Sequence, residues 1–416
     1  MAVDSLSDRR QLEQDLRQLD PSDSSYATEF VDLLLAVCSA KRVSDVHLQP
    51  SADGLEIRWR LDGVLQPVGC FPRGEAADIV SRLKVLAELL TYRNDCPQEG
   101  RIRQTRGDAE IRVSTFPTLH GERAVVRLFA SEGRFLFVRD LGLSVDVADS
   151  VVQLLAETSG ALVISGPAGS GKTTTAYACL RELVRQSGGG KSIVSLEDPI
   201  EVAVDQVAQA QVNASAEFDL ASGLRSLMRQ DPEVILVGEI RDRETAEAVF
   251  QAALTGHLVV TTFHAGSAAG VISRISDMGI EPYLLRSGIL AILNQRLVRR
   301  LCDCAQPTDD ESAKLGLDVE QMRAAAGCSE CDQIGYQGRT VIAELLLAQP
   351  GRVGRAILSR SDAPHLQELA IQSGMVPLFR RATDAVRTGI TSPAEIRRVF
   401  GFGNELTERR GGSPEG

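Results

Sequence analysis

The sequence predicts an α/β fold. A parallel-rich sheet surrounds a phosphate-binding loop, with a small α+β domain before it and a cysteine-bearing insert and C-terminal helices after it. Three observations carry this. Residues 166–173 read Gly-Pro-Ala-Gly-Ser-Gly-Lys-Thr and fit G-x-x-x-x-G-K-[ST] at every fixed position. From Ala161 to Arg300 short apolar runs alternate with helix-period segments, the pattern of parallel strands joined by crossover helices. Ahead of that region, strand-like runs and two amphipathic helices make a separate α+β pattern.

Taken in order, residues 1–25 read as a loose or helical tail. Tyr26 to Lys41 carries Phe30, Leu33, Leu34 and Val37 at helical spacing and opens a domain spanning 26–138. Its strands are expected at 46–48, 55–61, 64–68, 111–114 and 124–129, with Asp62-Gly63 as a tight turn and a second helix over 79–90. Residues 139–160 read as a linker and lead-in helix built on Val151, Val152, Leu154 and Leu155. The core, 161–300, has expected strands at 161–165, 192–196, 234–237 and 258–263. A helix from Thr173 to Gln186 aligns Ala176, Leu180, Leu183 and Val184 on one face. The remainder divides into a cysteine insert (301–345), a helical region (346–402) and a Gly/Ser/Pro/Glu tail (403–416) expected to be disordered.

Composition excludes some functions. The chain has 416 residues and a net charge of −11, a poor balance for neutralising nucleic-acid phosphates. No apolar stretch approaches the roughly 20 residues that span a bilayer, and the polar Met1–Asp20 segment is unlike a signal peptide. A cytoplasmic protein is expected. Among eight cysteines, Cys38, Cys70, Cys96 and Cys179 are scattered, whereas Cys302, Cys304, Cys328 and Cys331 cluster. Four thiolates in that setting favour a closed, structural zinc site over disulfides, although C-x-C is a compressed first pair.

The loop defines a nucleotide site. Gly166, Pro167, Ala168, Gly169, Ser170, Gly171, Lys172, Thr173 and Thr174 form that site, in which the glycines expose backbone N–H groups, Lys172 is a mobile cation and Thr173 brings a hydroxyl for Mg²⁺. Ligands of open parallel sheets gather beyond the carboxyl ends of strands, so Glu197, Asp198, Glu201, Glu239 and His264 are candidate partners, with His257 at the start of its strand. Phosphoryl transfer to water needs such groups: a carboxylate to orient water, another to hold hydrated Mg²⁺, and cations to spread charge.

Several segments together resemble one family. Ser195-Leu-Glu-Asp-Pro-Ile-Glu201, the run from Leu224 to Asp242, and Thr255-Gly-His-Leu-Val-Val-Thr-Thr-Phe-His264 are similar to the Asp box, Walker B and His box of the secretion ATPase superfamily. The nearest branch is the type II secretion and type IV pilus assembly ATPases (GspE/PulE/PilB-like). Ser44-Asp-Val-His-Leu-Gln-Pro50, Arg60-Leu-Asp-Gly-Val64, Pro97-Gln-Glu-Gly-Arg101, Arg112-Val-Ser-Thr-Phe-Pro117 and Gly121-Glu-Arg123 resemble that family's PAS-like N2 domain, and Gly335-Tyr-Gln-Gly-Arg-Thr340 its segment after the cysteines.

The resemblance implies a RecA-like ATPase core that binds ATP, Mg²⁺ and zinc and assembles as a homo-hexamer. It implies work on an inner-membrane platform protein, at a cytoplasmic position peripheral to the inner membrane. It makes Glu201 the general base with Glu197 its rival, Glu239 the Mg²⁺ and water ligand, His264 a γ-phosphate contact, and Arg112 and Arg127 arginines that swing from N2 toward the nucleotide. Two departures accompany it. Ala265-Gly266 replaces the family's Thr-Asn and is expected to loosen the His-box turn. Little chain precedes Tyr26, so docking to a membrane partner protein through a further N-terminal domain is expected to be altered or absent. A pilus-retraction or other superfamily ATPase is the alternative reading, against which the four cysteines count. A nucleic-acid motor is disfavoured by the acidic charge and the lack of an aromatic-and-basic stripe.

Overall fold

The computed structural model describes residues 9–74, 78–103, 110–128, 135–348 and 351–402. The tail expected at 403–416 and Phe129 at the end of an expected strand lie outside the described residues. The chain divides into two compact units, 1–132 and 133–416.

The first unit runs α1 (Arg9–Gln18), α2 (Tyr26–Ala40), β1 (Asp45–Ser51), β2 (Gly54–Leu61), β3 (Val64–Phe71), α3 (Ile79–Leu86), β4 (Gln98–Arg103), β5 (Glu110–Thr118) and β6 (Gly121–Leu128). Its antiparallel sheet has the order β3-β2-β1-β6-β5-β4. Leu61 pairs with Val64 around Asp62 and Gly63, both at positive φ, the backbone a two-residue hairpin turn demands. Val46, Leu48, Ile57, Trp59, Val113 and Val126 alternate onto one face and pack with Phe30, Leu34 and Leu83 from the helices. The expected tail contains α1, whose Leu12 and Leu16 are buried and whose Arg17 guanidinium lies 5.3 Å from the Phe71 ring centroid. Strand β4 escapes sequence reading because Gln-Glu-Gly-Arg-Ile-Arg has no apolar alternation; it forms by pairing with β5.

The second unit supplies α4 (Val145–Leu154), β7 (Gly160–Ser165), α5 (Lys172–Ser187), β8 (Ile193–Glu197), β9 (Ala208–Gln211), α6 (Leu220–Leu227), β10 (Val234–Val237), α7 (Arg243–Leu254), β11 (Leu258–Phe263), α8 (Ala268–Asp277), α9 (Pro282–Gly288) and β12 (Ile289–Leu301). A small hairpin of β13 (Gln306–Thr308) and β14 (Met322–Ala324) follows. Then come β15 (Tyr336–Leu347), α10 (Arg352–Leu358), α11 (Ala363–Gln372), α12 (Leu378–Arg387) and α13 (Pro393–Phe400). The main sheet has the order β15-β12-β7-β11-β10-β8-β9, parallel except for β15. Both faces are covered, so strands read as continuous apolar runs. Ala161 and Val163 face one core with α7 and α8, while Leu162 and Ile164 face another with α5.

Two long strands differ from the sequence expectation. β12 reads as Ile-Leu-Ala-Ile-Leu-Asn-Gln-Arg-Leu-Val-Arg-Arg-Leu, which satisfies helical and buried-strand spacing equally. β15 falls inside the expected insert yet is the antiparallel edge strand of the core sheet. Consequently β12 pairs in parallel with the P-loop strand β7.

Candidate active site

The glycine loop leaves β7 at Ser165, a fully buried strand end, and enters α5 at Lys172. Gly166 has φ +152, and a Cβ there would stand 2.4 Å from Ser170 Oγ and 2.5 Å from the Gln295 carbonyl oxygen. Glycine is therefore a steric requirement at the loop's first position. Gly171, at φ +85, caps α5 in the left-handed region and leaves the helix N-terminus open toward an anion. β12 braces the loop from the side. Gln295 Nε2 donates to the Ser170 carbonyl (2.7 Å), Thr175 Oγ1 donates to Gln295 Oε1 (3.0 Å), and Ser165 Oγ donates to Asn294 Oδ1 (3.2 Å). Lys172 Nζ folds over the loop, donating to the carbonyls of Gly166 (3.1 Å) and Pro167 (3.2 Å). Burial pulls the Lys172 ammonium below its ordinary pKa, Glu239 opposes that, and Arg296 adds to it. Thr173 is half-buried and Thr174 exposed in the first turn.

The next groups come from the carboxyl ends of β10 and β11. His264 Nε2 lies 3.4 Å from Lys172 Nζ and 3.2 Å from Glu239 Oε1. Arg241 Nε donates to Glu239 Oε2 (3.0 Å), and its Nη1 donates to Asp198 Oδ2 (3.2 Å). An open cleft of about 340 Å³ adjoins them, lined by Glu239, Arg241, Phe263, His264 and Arg274 among others. The turn after His264 is held despite Ala265-Gly266. Arg274 donates to the His264 carbonyl, and Asn294 Nδ2 (3.2 Å) and Arg296 Nη2 (2.9 Å) donate to the Gly266 carbonyl. Donors from α8 and β12 thus reach both carbonyls of this turn.

Glu197 and Glu201 occupy different environments. Glu197 ends β8 and is 4% exposed. Its Oε2 accepts from Tyr177 Oη (2.5 Å), and its Oε1 accepts from Ser195 Oγ (2.6 Å) and Gln209 Nε2 (3.0 Å). Both oxygens are thus committed to the protein, which suits a structural carboxylate better than a water-activating one. Glu201 is half-buried on the following loop, and its N–H donates to Tyr177 Oη (3.0 Å). His257 immediately precedes β11, level with the beginning of β7 and so at the opposite end of the sheet from the glycine loop. Its Nδ1 lies 2.9 Å from the Ala252 carbonyl at the end of α7, a structural contact.

Arg112 and Arg127 belong to the first unit, where they face each other across β5 and β6. The register extends the row: Arg60, Asp45, Arg127, Arg112 and Arg101 lie side by side on β2, β1, β6, β5 and β4. Asp45 ties two of them, to Arg127 Nε at 2.9 Å and Arg60 Nε at 3.5 Å. Sequence reading singled out only the middle pair for a role, although Arg60 and Arg101 sat in the quoted motifs.

The four clustered cysteines converge, with their sulfurs all within 4.8 Å of one another. Cys302–Cys328 and Cys304–Cys331 are 3.8 Å apart, and Cys328–Cys331 3.7 Å. Four sulfurs each about 2.3 Å from a tetrahedral Zn²⁺ would stand about 3.8 Å apart, so the donor set fits that ion. The C-x-C pair is accommodated in this cluster of sulfurs. The N–H groups of Cys328 and Gly335 both donate to Cys331 Sγ at 3.2 Å. Burial works against ionisation of Cys331, but these donors outweigh it and bring the thiol down to about 7. By contrast burial pushes the core thiols Cys38 and Cys179 up to about 12.

Comparison with known proteins gives a consistent result. The family model described as Type II/IV secretion system protein matches residues 20–398. The chain is similar to the type II secretion system ATPase E of Vibrio cholerae, 39% identical over 390 residues that cover 92% of this chain and 76% of that one. It is 34% identical over 399 residues to the type IV pilus assembly ATPase PilB of Thermus thermophilus, covering 93% of this chain and 44% of PilB. Among solved structures, the ATPase DotB of Legionella pneumophila matches in fold with a TM-score of 0.66 at 20% identity, covering 89% of this chain and 94% of DotB.

Proposed function

The chain belongs to the Type II/IV secretion system protein family, and from that premise we propose how its residues divide the work of an ATPase that drives type II secretion or type IV pilus assembly. The observation that carries the reading is the meeting of Lys172, His264 and Glu239 within hydrogen-bonding reach at the ends of parallel strands. Backbone N–H groups of residues 168–174, which include the N-terminus of α5, bind the nucleotide phosphates, and Lys172 supplies a mobile positive charge. Thr173 and Glu239 offer the hydroxyl and carboxylate oxygens that a hard cation takes, and are the proposed holders of Mg²⁺. Bound there, the ion would neutralise phosphate charge. His264 contacts the terminal phosphate, Glu201 orients and deprotonates the attacking water, and Glu197 positions rather than reacts. Arg112 and Arg127 are assigned to phosphate recognition by the first unit, supported by the arginine row and by the match of the guanidinium fork to phosphate.

The four cysteines hold a structural zinc ion, a role supported by the convergence of their sulfurs and by four thiolates filling all the positions of a tetrahedral site. Assembly as a homo-hexamer, action on an inner-membrane platform protein and a cytoplasmic, membrane-peripheral location complete the proposal. No described helix is long and apolar enough to cross a membrane.

The testing experiment is steady-state ATP hydrolysis by the purified full chain, with and without Mg²⁺, beside Lys172→Ala and Glu201→Gln. Turnover that needs Mg²⁺ and falls by about 100-fold or more in both variants is expected. Unchanged turnover in Glu201→Gln would remove it from the role of base. Recovery of the chain with the membrane fraction, lost when membranes come from cells lacking the platform protein, tests the partner.

A further inference from the structure

One phenol holds the main chain of Glu201. Tyr177 lies on α5, four residues beyond Thr173, so it projects from the same helix face one turn from the phosphate-binding end. It is 4% exposed. Its hydroxyl donates to Glu197 Oε2 (2.5 Å) and accepts the N–H groups of Glu201 (3.0 Å) and Val202 (3.4 Å). Behind it, Glu197 is fixed by Ser195 and Gln209. Gln209 itself bridges back, its Oε1 accepting from Val204 N–H (2.7 Å) and its Nε2 donating to the Val202 carbonyl (3.1 Å). The segment 201–204 is thus tied to α5 and β9 by side chains, with no ladder of its own.

From this arrangement we infer that Tyr177 is the positioning residue that sets the Glu201 carboxylate relative to the glycine loop, with Glu197 orienting the phenol. The inference rests on the reading of Glu201 as the base. The Tyr177 hydroxyl joins the helix that begins with Lys172 and Thr173 to the main chain of Glu201, and so bears on their separation. The charged acceptor makes the anchoring bond short and strong. Burial, followed by the bond to Glu197, raises the phenol above its ordinary value, so the hydroxyl keeps the proton it donates. Displacing a catalytic group by about 1 Å costs about 100-fold in rate, and the tyrosine is where such a displacement would originate.

The test is Tyr177→Phe in the full chain, alone and combined with Glu201→Gln. The phenylalanine keeps the ring and removes only the hydroxyl. A kcat lower by about 10- to 100-fold is expected, with KM and the affinity for a fluorescent ATP analogue within about twofold of the parent. In the Glu201→Gln background, Tyr177→Phe should add no further loss, since it acts through Glu201. A kcat within about twofold of the parent, or the same fold-loss in both backgrounds, overturns the positioning role while leaving Glu201 as base. Unchanged turnover in Glu201→Gln alone overturns the base assignment and the inference with it. Should Tyr177→Phe prove too unstable to assay, Glu197→Gln retains the hydroxyl but weakens its charged anchor. It should lower kcat at unchanged KM, and an unchanged kcat would overturn the proposal.

Discussion

Lys172 Nζ and His264 Nε2 stand 3.4 Å apart across 92 residues of sequence, and Glu239 Oε1 reaches the same ring nitrogen at 3.2 Å. Parallel pairing of β7 with β11 and of β11 with β10 brings the three groups to one sheet edge. Because His264 touches both the loop cation and the carboxylate, removing it should disturb them together. We expect His264→Ala to lower kcat by about 10- to 100-fold. Combined with Glu239→Gln, the losses should be less than multiplicative, measured as a double-mutant cycle on ATP turnover.

The first glycine of the loop predicts a separable effect. Gly166→Ala would push a methyl against Ser170 Oγ and the Gln295 carbonyl at a φ that L-residues rarely adopt. The hydroxyl can rotate away, but the carbonyl belongs to the β12 backbone and cannot. Strain of about 1–3 kcal/mol is expected in the loop, weakening nucleotide affinity by about 10- to 100-fold. Titration with a fluorescent ADP analogue reads this, with an unchanged circular dichroism spectrum as the control.

How much of this site the sequence carries depends on the range of each interaction. The glycine loop is legible because eight adjacent residues make it. Glu239 and His264 are legible because each follows a short apolar run at a strand end. Tyr177 is not, since a tyrosine on the buried side of an amphipathic helix looks like any core aromatic until β8 is placed beside it. Gln295 and Asn294 left a faint signal, two amides inside an apolar run, but the run itself fits helix and strand alike. Arg60 and Arg101 stand in recognisable segments, yet their alignment with Arg112 depends on cross-strand register that no local pattern states.

The cysteine cluster predicts metal-linked stability. Purified protein should contain about one zinc per chain, measured by elemental analysis. Replacing Cys328 and Cys331 by serine should remove it and lower the melting temperature of the second unit, because binding energy at such a site is folding energy. The first unit's own core shares no residue with this cluster. A zinc-free wild-type protein with unchanged melting would contradict the role.

A pH-dependent stability is expected from Glu395. This α13 carboxylate is fully buried and accepts from the Arg299 N–H (2.9 Å), the Arg299 guanidinium (2.7 Å) and the Arg398 guanidinium (2.6 Å). Burial alone would raise its pKa, but the two arginines prevail and hold it below the usual glutamate value. In the unfolded chain a glutamate titrates near about 4.3. A depressed native value means that the ionised form contributes stability above that pH, and that the contribution disappears as pH falls through the native pKa. Glu395→Ala leaves Arg299, 12% exposed, facing a void without its carboxylate. A loss of about 3–5 kcal/mol is expected at neutral pH, a melting temperature lower by roughly 10 °C. Melts recorded from pH 7.5 down to pH 3 should show the parent losing stability toward the acid end and the gap between parent and variant narrowing with it. A gap that stays constant across that range would show that the carboxylate's charge contributes nothing to holding α13 on β12.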